Sequence, residues 1–133
     1  MKMFDRDGKF NWVDDKNCVV GYDSGQNCCE LFDYRYLDKD KVVIKLSDEQ
    51  LECYNFCPSF HESSRLIESD DELLKKRIEQ GEAIIIALFK MEIYKGVNVE
   101  EVAYLELRNC HNGYYSHGFE MLKDGEVLHS GKL

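Results

Sequence analysis

Alternating apolar and polar residues near the amino end of the chain predict a β-hairpin. Residues 10–14 (FNWVD) and 18–22 (CVVGY) are typical of two strands, and the intervening residues 15–17 (DKN) favour a turn. Pairing Asp14 with Cys18 across this three-residue loop gives the hairpin one apolar face, formed by Phe10, Trp12, Val20 and Tyr22. Such a loop needs one residue in the left-handed region, and Asn17 suits that position.

Further segments predict more strands, at residues 28–36, 41–46, 102–107, 115–123 and 127–128. The run from Ala83 to Phe89 is apolar on both faces, which predicts a central strand covered on both sides. Tight turns are expected at Lys95-Gly96 and at Asp124-Gly125.

Two capping-box patterns predict short helices. Ser47 with Gln50 favours a helix that ends near Tyr54, and Ser69 with Glu72 favours a second one that ends at Gly81. Together these patterns predict an α+β fold. We expect a single compact domain over residues 1–133, with a mainly antiparallel β-sheet of about seven strands and one or two short helices.

The chemically densest segment is residues 109–119 (NCHNGYYSHGF), which contains two His, one Cys and two Tyr around an Asn-Gly turn signal. A three-residue loop over residues 111–113 would pair Leu105 with Phe119 and Leu107 with His117, so that the large apolar residues share one face. A two-residue loop would divide them between opposite faces. We therefore expect the three-residue loop, with Gly113 in the left-handed region.

In the same register Asn109, Tyr115 and His117 point inward at one end of the sheet, where polar groups need partners. One interpretation is structural: His117 donates to a backbone carbonyl or to Asn109 and locks the turn. The other is a polar pocket, in which His117 transfers a proton or binds a ligand. The residues predicted to form this pocket are Asn109, Tyr115, His117, Cys28 and Cys29.

Composition excludes several protein classes. The chain has 133 residues, of which 44% are hydrophobic, enough to fill one core. Its longest apolar run, residues 83–89, is far shorter than the 18 or so residues that span a bilayer. The first residues show no hydrophobic signal region, so the expected location is the cytoplasm.

The charge balance disfavours direct binding to nucleic acids. Seventeen basic and 26 acidic residues give a net charge of −9, which repels phosphates. One interpretation is a nucleic-acid mimic that occupies a basic groove on another protein. The other, which we favour because charge patterning alone rarely identifies a partner, is a solvated acidic surface.

The six cysteines are expected to be thiols, because the cytoplasm is reducing. No cofactor is predicted. The alternative is zinc, for which the available ligands are Cys53, Cys57, Cys110 and His111, although their spacing is unlike that of a zinc finger. Cys28 or Cys29 beside His117 would supply a thiolate–imidazole pair for catalysis, but nothing in the sequence brings them together.

Three segments resemble a family of uncharacterised small proteins from bacteria and their phages or plasmids. They are VGYDSGQNCCE (residues 20–30), YNFCPSF (residues 54–60) and CHNGYYSHGF (residues 110–119). The chain departs from the family pattern at Cys57, where an acidic residue is expected. The resemblance carries no activity with it, and implies an accessory role on a mobile element that interferes with or modifies a host process.

We therefore expect a non-catalytic binding or accessory protein that acts through a protein partner. The alternative is a small enzyme or metal-binding protein that uses Cys28, Cys29, Cys110 and His117.

Overall fold

The structure is a computed structural model that describes residues 1–6, 8–23, 31–66, 83–111 and 118–132. These residues form ten strands and one helix. In chain order they are β1 (Lys2–Arg6), β2 (Lys9–Val13), β3 (Cys18–Asp23), β4 (Leu31–Asp38), β5 (Val43–Ile44), α1 (Asp48–Glu52), β6 (Asn55–Leu66), β7 (Ala83–Lys95), β8 (Asn98–His111), β9 (Gly118–Lys123) and β10 (Glu126–Lys132).

The strands form two antiparallel five-stranded sheets. Sheet A has the order β1-β2-β3-β9-β10, and sheet B has the order β5-β4-β8-β7-β6. The described part of the chain is therefore mainly β, rather than the predicted α+β, and it contains ten strands in two sheets rather than about seven in one. Strands β1 and β6 had no matching prediction. Of the strand predicted at residues 41–46, only Val43–Ile44 is a strand, β5.

The predicted β2–β3 hairpin is confirmed. Phe10 pairs with Tyr22 and Trp12 pairs with Val20, and the backbone N–H of Asp14 donates to the carbonyl of Cys18 at 3.0 Å. Asn17 has a φ of 59°, in the left-handed region that the three-residue loop requires. The turn at Asp124-Gly125 is also confirmed, with φ values of 51° and 82°, as is the turn at Lys95-Gly96.

The main core lies between the two sheets. Sheet A contributes side chains that are essentially inaccessible to solvent, among them Trp12, Val20, Tyr22 and Met121. Sheet B contributes Ala87, Phe89, Met91, Leu105 and Leu107. The ring of Phe119 in sheet A packs edge-on against that of Phe89 in sheet B, with 5.8 Å between the centroids. Burial of these apolar side chains holds the sheets together.

The predicted hairpin between residues 102–107 and 115–123 is wrong in its pairing. Leu105 in β8 pairs with Phe89 and Tyr36, whereas Phe119 in β9 pairs with Tyr22 and Gly131. The two strands thus belong to different sheets. Leu105 and Phe119 both face the core, as predicted, but they do so from opposite sides of it. Residues 112–117, which include the Gly113 predicted to be left-handed, lie outside the described residues.

The helix α1 begins where its sequence signal predicts. The side chain of Ser47 accepts from the backbone N–H of Gln50, and the side chain of Gln50 accepts from the backbone N–H of Ser47, which completes the capping box. Beyond the helix, the amine of Met1 donates to the carbonyls of Leu51 and Tyr54 at 2.7 and 2.9 Å, and burial lowers the pKa of this amine below its ordinary value. The second predicted helix, residues 69–81, lies outside the described residues.

Both faces of strand β7 are buried at residues 87–89, the part of the predicted apolar run whose side chains are described. Ala87 and Phe89 face the main core, and Leu88 packs on the opposite face of sheet B with Leu37 and Tyr104. Among the described residues no helix is long and apolar enough to cross a membrane.

Candidate functional site

The predicted polar pocket falls largely outside the described residues, which exclude Cys28, Cys29, Tyr115 and His117. Asn109 lies on β8 between Phe32 of β4 and Ile85 of β7 in the register of sheet B. Only the backbone of Asn109 is described. The pocket therefore stays a prediction.

The described residues that adjoin these segments are neighbours at one end of the two sheets. Tyr22 and Phe119 are cross-strand partners in sheet A, and Leu31 and Cys110 are cross-strand partners in sheet B. The hydroxyl of Tyr22 donates to the carbonyl of Arg108 at 3.0 Å and so joins the two sheets at this end. The register thus brings together the strand ends from which residues 24–30 and 112–117 depart.

Among the predicted zinc ligands, Cys110 and His111 lie at the end of β8, where only the backbone is described. Cys53 is exposed at the carboxyl end of α1, and Cys57 is half-buried on β6. No group of three or more His, Cys, Asp or Glu side chains in the described ranges is arranged to hold a metal ion.

Cys18, which the sequence did not single out, is buried in the core. Burial, together with the nearby charge of Asp14, raises the pKa of its thiol to about 11. Since the thiolate is the reactive form, this thiol is a poor nucleophile near neutral pH.

The outer face of sheet B carries a buried ionic network. Arg35 Nε lies 2.6 Å from Glu106 Oε1, and Arg108 Nε lies 3.7 Å from the same oxygen. Glu106 and Arg108 are only 4% and 8% exposed. Glu106 and Arg108 are thus removed from solvent, whereas the side chain of Arg35 remains 26% exposed.

In the described ranges, the side chains on the outer face of sheet A form cross-strand rows that are partly exposed to solvent. The first, which we name the apolar row, consists of Val13, Val19, Leu122 and Val127, each paired with the next. Val13, Val19 and Leu122 are half-buried, and Val127 is 56% exposed. We call this outer side of sheet A the open face.

The second row, which we name the glycine row, runs beside the apolar row. It consists of Phe4, Asn11, Gly21, Glu120 and Ser130, again with each residue paired to the next. Gly21 is at its centre. A Cβ atom at this position would lie 3.2 Å from Asn11 Oδ1 and 3.8 Å from Glu120 Cγ, so these two side chains stand on either side of a gap in the row.

This gap is part of a groove of about 400 Å³ on the open face. Among the described residues, three glycines line it, Gly21, Gly118 and Gly131, together with Phe119. Its polar side chains are Lys9, Asp23, Glu120 and Ser130. Among the described residues Glu120 forms no hydrogen bond or ion pair, so its carboxylate is available to a ligand.

This groove has no counterpart among the features predicted from the sequence. One signal was present, because a glycine inside a strand often marks a close approach of another group. Gly21 is such a glycine, between the core residues Val20 and Tyr22. The other lining residues come from four strands, and only the register of sheet A shows that they are neighbours.

No protein-family model matches the chain, and no curated protein and no solved structure shows significant similarity to it.

Proposed function

We propose that this chain is a non-catalytic accessory protein that binds a protein partner through the open face of sheet A. We further propose that it acts in the cytoplasm of a bacterium, on behalf of a phage or another mobile element. The observation that carries the proposal is a contrast among the described side chains: the apolar ones on the outer face of sheet B (Leu37, Leu88 and Tyr104) are buried, whereas the apolar row on the outer face of sheet A is half-buried to exposed.

The apolar row supports binding because its half-buried and exposed side chains lie outside the core. Val13, Val19 and Leu122 point away from the core residues Trp12, Val20 and Met121, which alternate with them along the same strands. If this face contacted only water, polar residues at these positions would suit it equally well. A contiguous row of apolar side chains on an open sheet is typical of a surface that another protein covers.

Charge supports the same face. The strands of sheet A contain five Lys and Arg (residues 2, 6, 9, 123 and 132) against four Asp and Glu (residues 5, 23, 120 and 126), a formal sum of +1. The whole chain has a net charge of −9, so the remainder carries −10. An acidic partner would therefore meet less electrostatic repulsion at sheet A than at the remainder of the chain.

The test compares two sets of threonine substitutions in the full chain. Val19→Thr, Leu122→Thr and Val127→Thr together make the apolar row polar while keeping residues that favour strands. Val97→Thr and Val99→Thr are the matched control, because these two valines are 93% and 46% exposed but lie on the β7–β8 hairpin. Circular dichroism and thermal denaturation establish that both variants are folded.

The partner is isolated by crosslinking and affinity purification from the bacterium that contains the chain, and its Kd is measured with purified proteins. We expect the apolar-row variant to bind at least about tenfold more weakly, which corresponds to about 1.4 kcal/mol. The hairpin variant should bind like the unsubstituted chain. Equal binding by all three proteins, or no saturable partner, would show that the open face is not a binding surface.

A further inference from the structure

We propose that the groove on the open face binds the guanidinium group of an arginine side chain on the protein partner. This inference rests on the proposed function and adds to it the chemistry of the partner. The groove lies directly beside the apolar row, because Gly21 and Glu120 are separated from Val19 and Leu122 by one residue along β3 and β9. A partner segment that covers the apolar row therefore brings a neighbouring side chain to the groove.

The charge of the groove selects a cation. Within the described part of the chain its charged side chains are Lys9, Asp23 and Glu120, with a formal sum of −1. One positive charge on a ligand would neutralise the negative charge of the groove, whereas a phosphate or carboxylate would add further negative charge to it. A monovalent cationic group is therefore the complementary ligand.

The arrangement of acceptors selects guanidinium among the cations. The amide of Asn11 donates through Nδ2 to the carbonyl of Lys9 at 3.4 Å, and its Oδ1 stands at the edge of the gap over Gly21. On the other side of the gap is Glu120, followed by Ser130 on the next strand. A guanidinium carries five N–H donors in one plane and can reach acceptors on both sides at once, whereas an ammonium is a compact point charge.

The shape of the groove fits a flat group. Gly21 leaves the surface without a side chain at the centre of the row, and a Cβ atom there would narrow the space between Asn11 and Glu120. A planar group can lie on this floor, with its edges towards the two side chains. Phe4, which is half exposed and is the cross-strand partner of Asn11, extends the same row with an apolar surface. Residues of the partner that adjoin the arginine can pack there.

The experiment uses the full ¹⁵N-labelled chain and three small probes: Nα-acetyl-arginine amide, the corresponding lysine amide and the corresponding citrulline amide. Citrulline has the shape of arginine without its charge. The readout is the shift of backbone amide signals, in which the glycines of the groove report binding directly. We expect saturable binding of the arginine probe, at least about fivefold weaker binding of the lysine probe, and still weaker binding of citrulline.

Glu120→Gln is the decisive variant because it removes the charge and keeps the shape of the side chain. We expect it to weaken arginine binding at least about fivefold. Glu126→Gln is the matched control, since Glu126 is an exposed carboxylate on β10 that does not line the groove. This control should bind the arginine probe like the unsubstituted chain.

Three results would overturn the inference. They are a citrulline probe that binds as tightly as the arginine probe, an unchanged affinity of Glu120→Gln for the arginine probe, or amide shifts confined to residues outside the groove. The partner assay separates this inference from the proposed function. If threonines in the apolar row weaken partner binding while Glu120→Gln does not, the open face binds the partner but the groove does not take its arginine. If neither change matters, the proposed function itself fails.

Discussion

The buried carboxylate of Asp14 joins the two sheets, because its Oδ2 accepts a hydrogen bond from the backbone N–H of Phe56 at 3.0 Å. Its Oδ1 accepts from the backbone N–H groups of Lys16 and Cys18, at 2.9 and 2.8 Å. One side chain at the β2–β3 turn of sheet A therefore satisfies a backbone donor of β6 in sheet B. Without it, the buried N–H groups of Cys18 and Phe56 would lose an acceptor, which is costly away from water.

We predict that Asp14→Ala lowers the free energy of unfolding by about 3 kcal/mol or more, since it removes three hydrogen bonds to a charged acceptor. Asp14→Asn should cost less, because one oxygen remains as an acceptor. Asp15→Ala is the matched control: Asp15 is exposed in the same turn, and its loss should change stability by no more than about 0.5 kcal/mol. Urea denaturation at neutral pH measures all three variants. Similar losses for Asp14→Ala and Asp15→Ala would contradict the linking role of Asp14.

A second prediction concerns the packing of β10 against β9. A Cβ atom at Gly131 would lie 2.8 Å from ring atoms of Phe119, whose ring is buried against Phe89. Because that ring must shift to make room, we expect Gly131→Ala to destabilise the protein by about 1–3 kcal/mol. Gly118→Ala is the control, because a Cβ there meets nothing within 4 Å. Thermal denaturation compares the two variants, and an equal midpoint for both would show that the Phe119 ring is not held in place.

The parts of the fold that the sequence predicts well are those set by short-range geometry. Asn17 takes the left-handed conformation that a three-residue loop requires, and Ser47 with Gln50 forms the expected capping box. Each of these features depends on residues within a few positions of one another. Local propensity and side-chain alternation are sufficient to identify them.

The pairing of β8 with β9 could not be predicted in this way. Alternation places Leu105 and Phe119 towards the core, which is correct, but it does not distinguish neighbours on one sheet from residues that face each other across two sheets. For the same reason, the sequence could not predict the groove. Lys9, Glu120 and Ser130 come from three strands, and only the sheet order places them together.

Thiol reactivity gives a third prediction. Cys53 is exposed, whereas Cys18 is 1% exposed and has a pKa raised to about 11 by burial. Since alkylation requires an accessible thiolate, iodoacetamide at pH 8 should modify Cys53 at least about 100-fold faster than Cys18 in the native protein. Peptide mass spectrometry over a time course measures both rates. In concentrated urea the two rates should become similar, and comparable rates in the native protein would mean that Cys18 is not held in the core.

Alkaline pH should unfold the protein through its buried phenols. Trp12 Nε1 donates to the Tyr36 hydroxyl at 3.1 Å, and burial raises the pKa of Tyr36 from its ordinary value of 10 to about 12. Folding therefore favours the neutral phenol. Its contribution to stability is fully present below pH 10 and is lost as the pH rises from about 10 to about 12. Burial raises the pKa of Tyr54 to about 12 as well, so both phenols oppose folding once the solution is alkaline enough to ionise the unfolded chain.

Urea denaturation between pH 8 and pH 11 should show this fall in the free energy of unfolding. The Tyr36→Phe variant should make the fall shallower. It should also lower the free energy of unfolding at pH 8 by about 1–2 kcal/mol, because buried Trp12 Nε1 loses its acceptor. An unchanged pH dependence in Tyr36→Phe would show that Tyr36 ionises as readily in the folded protein as in the unfolded chain.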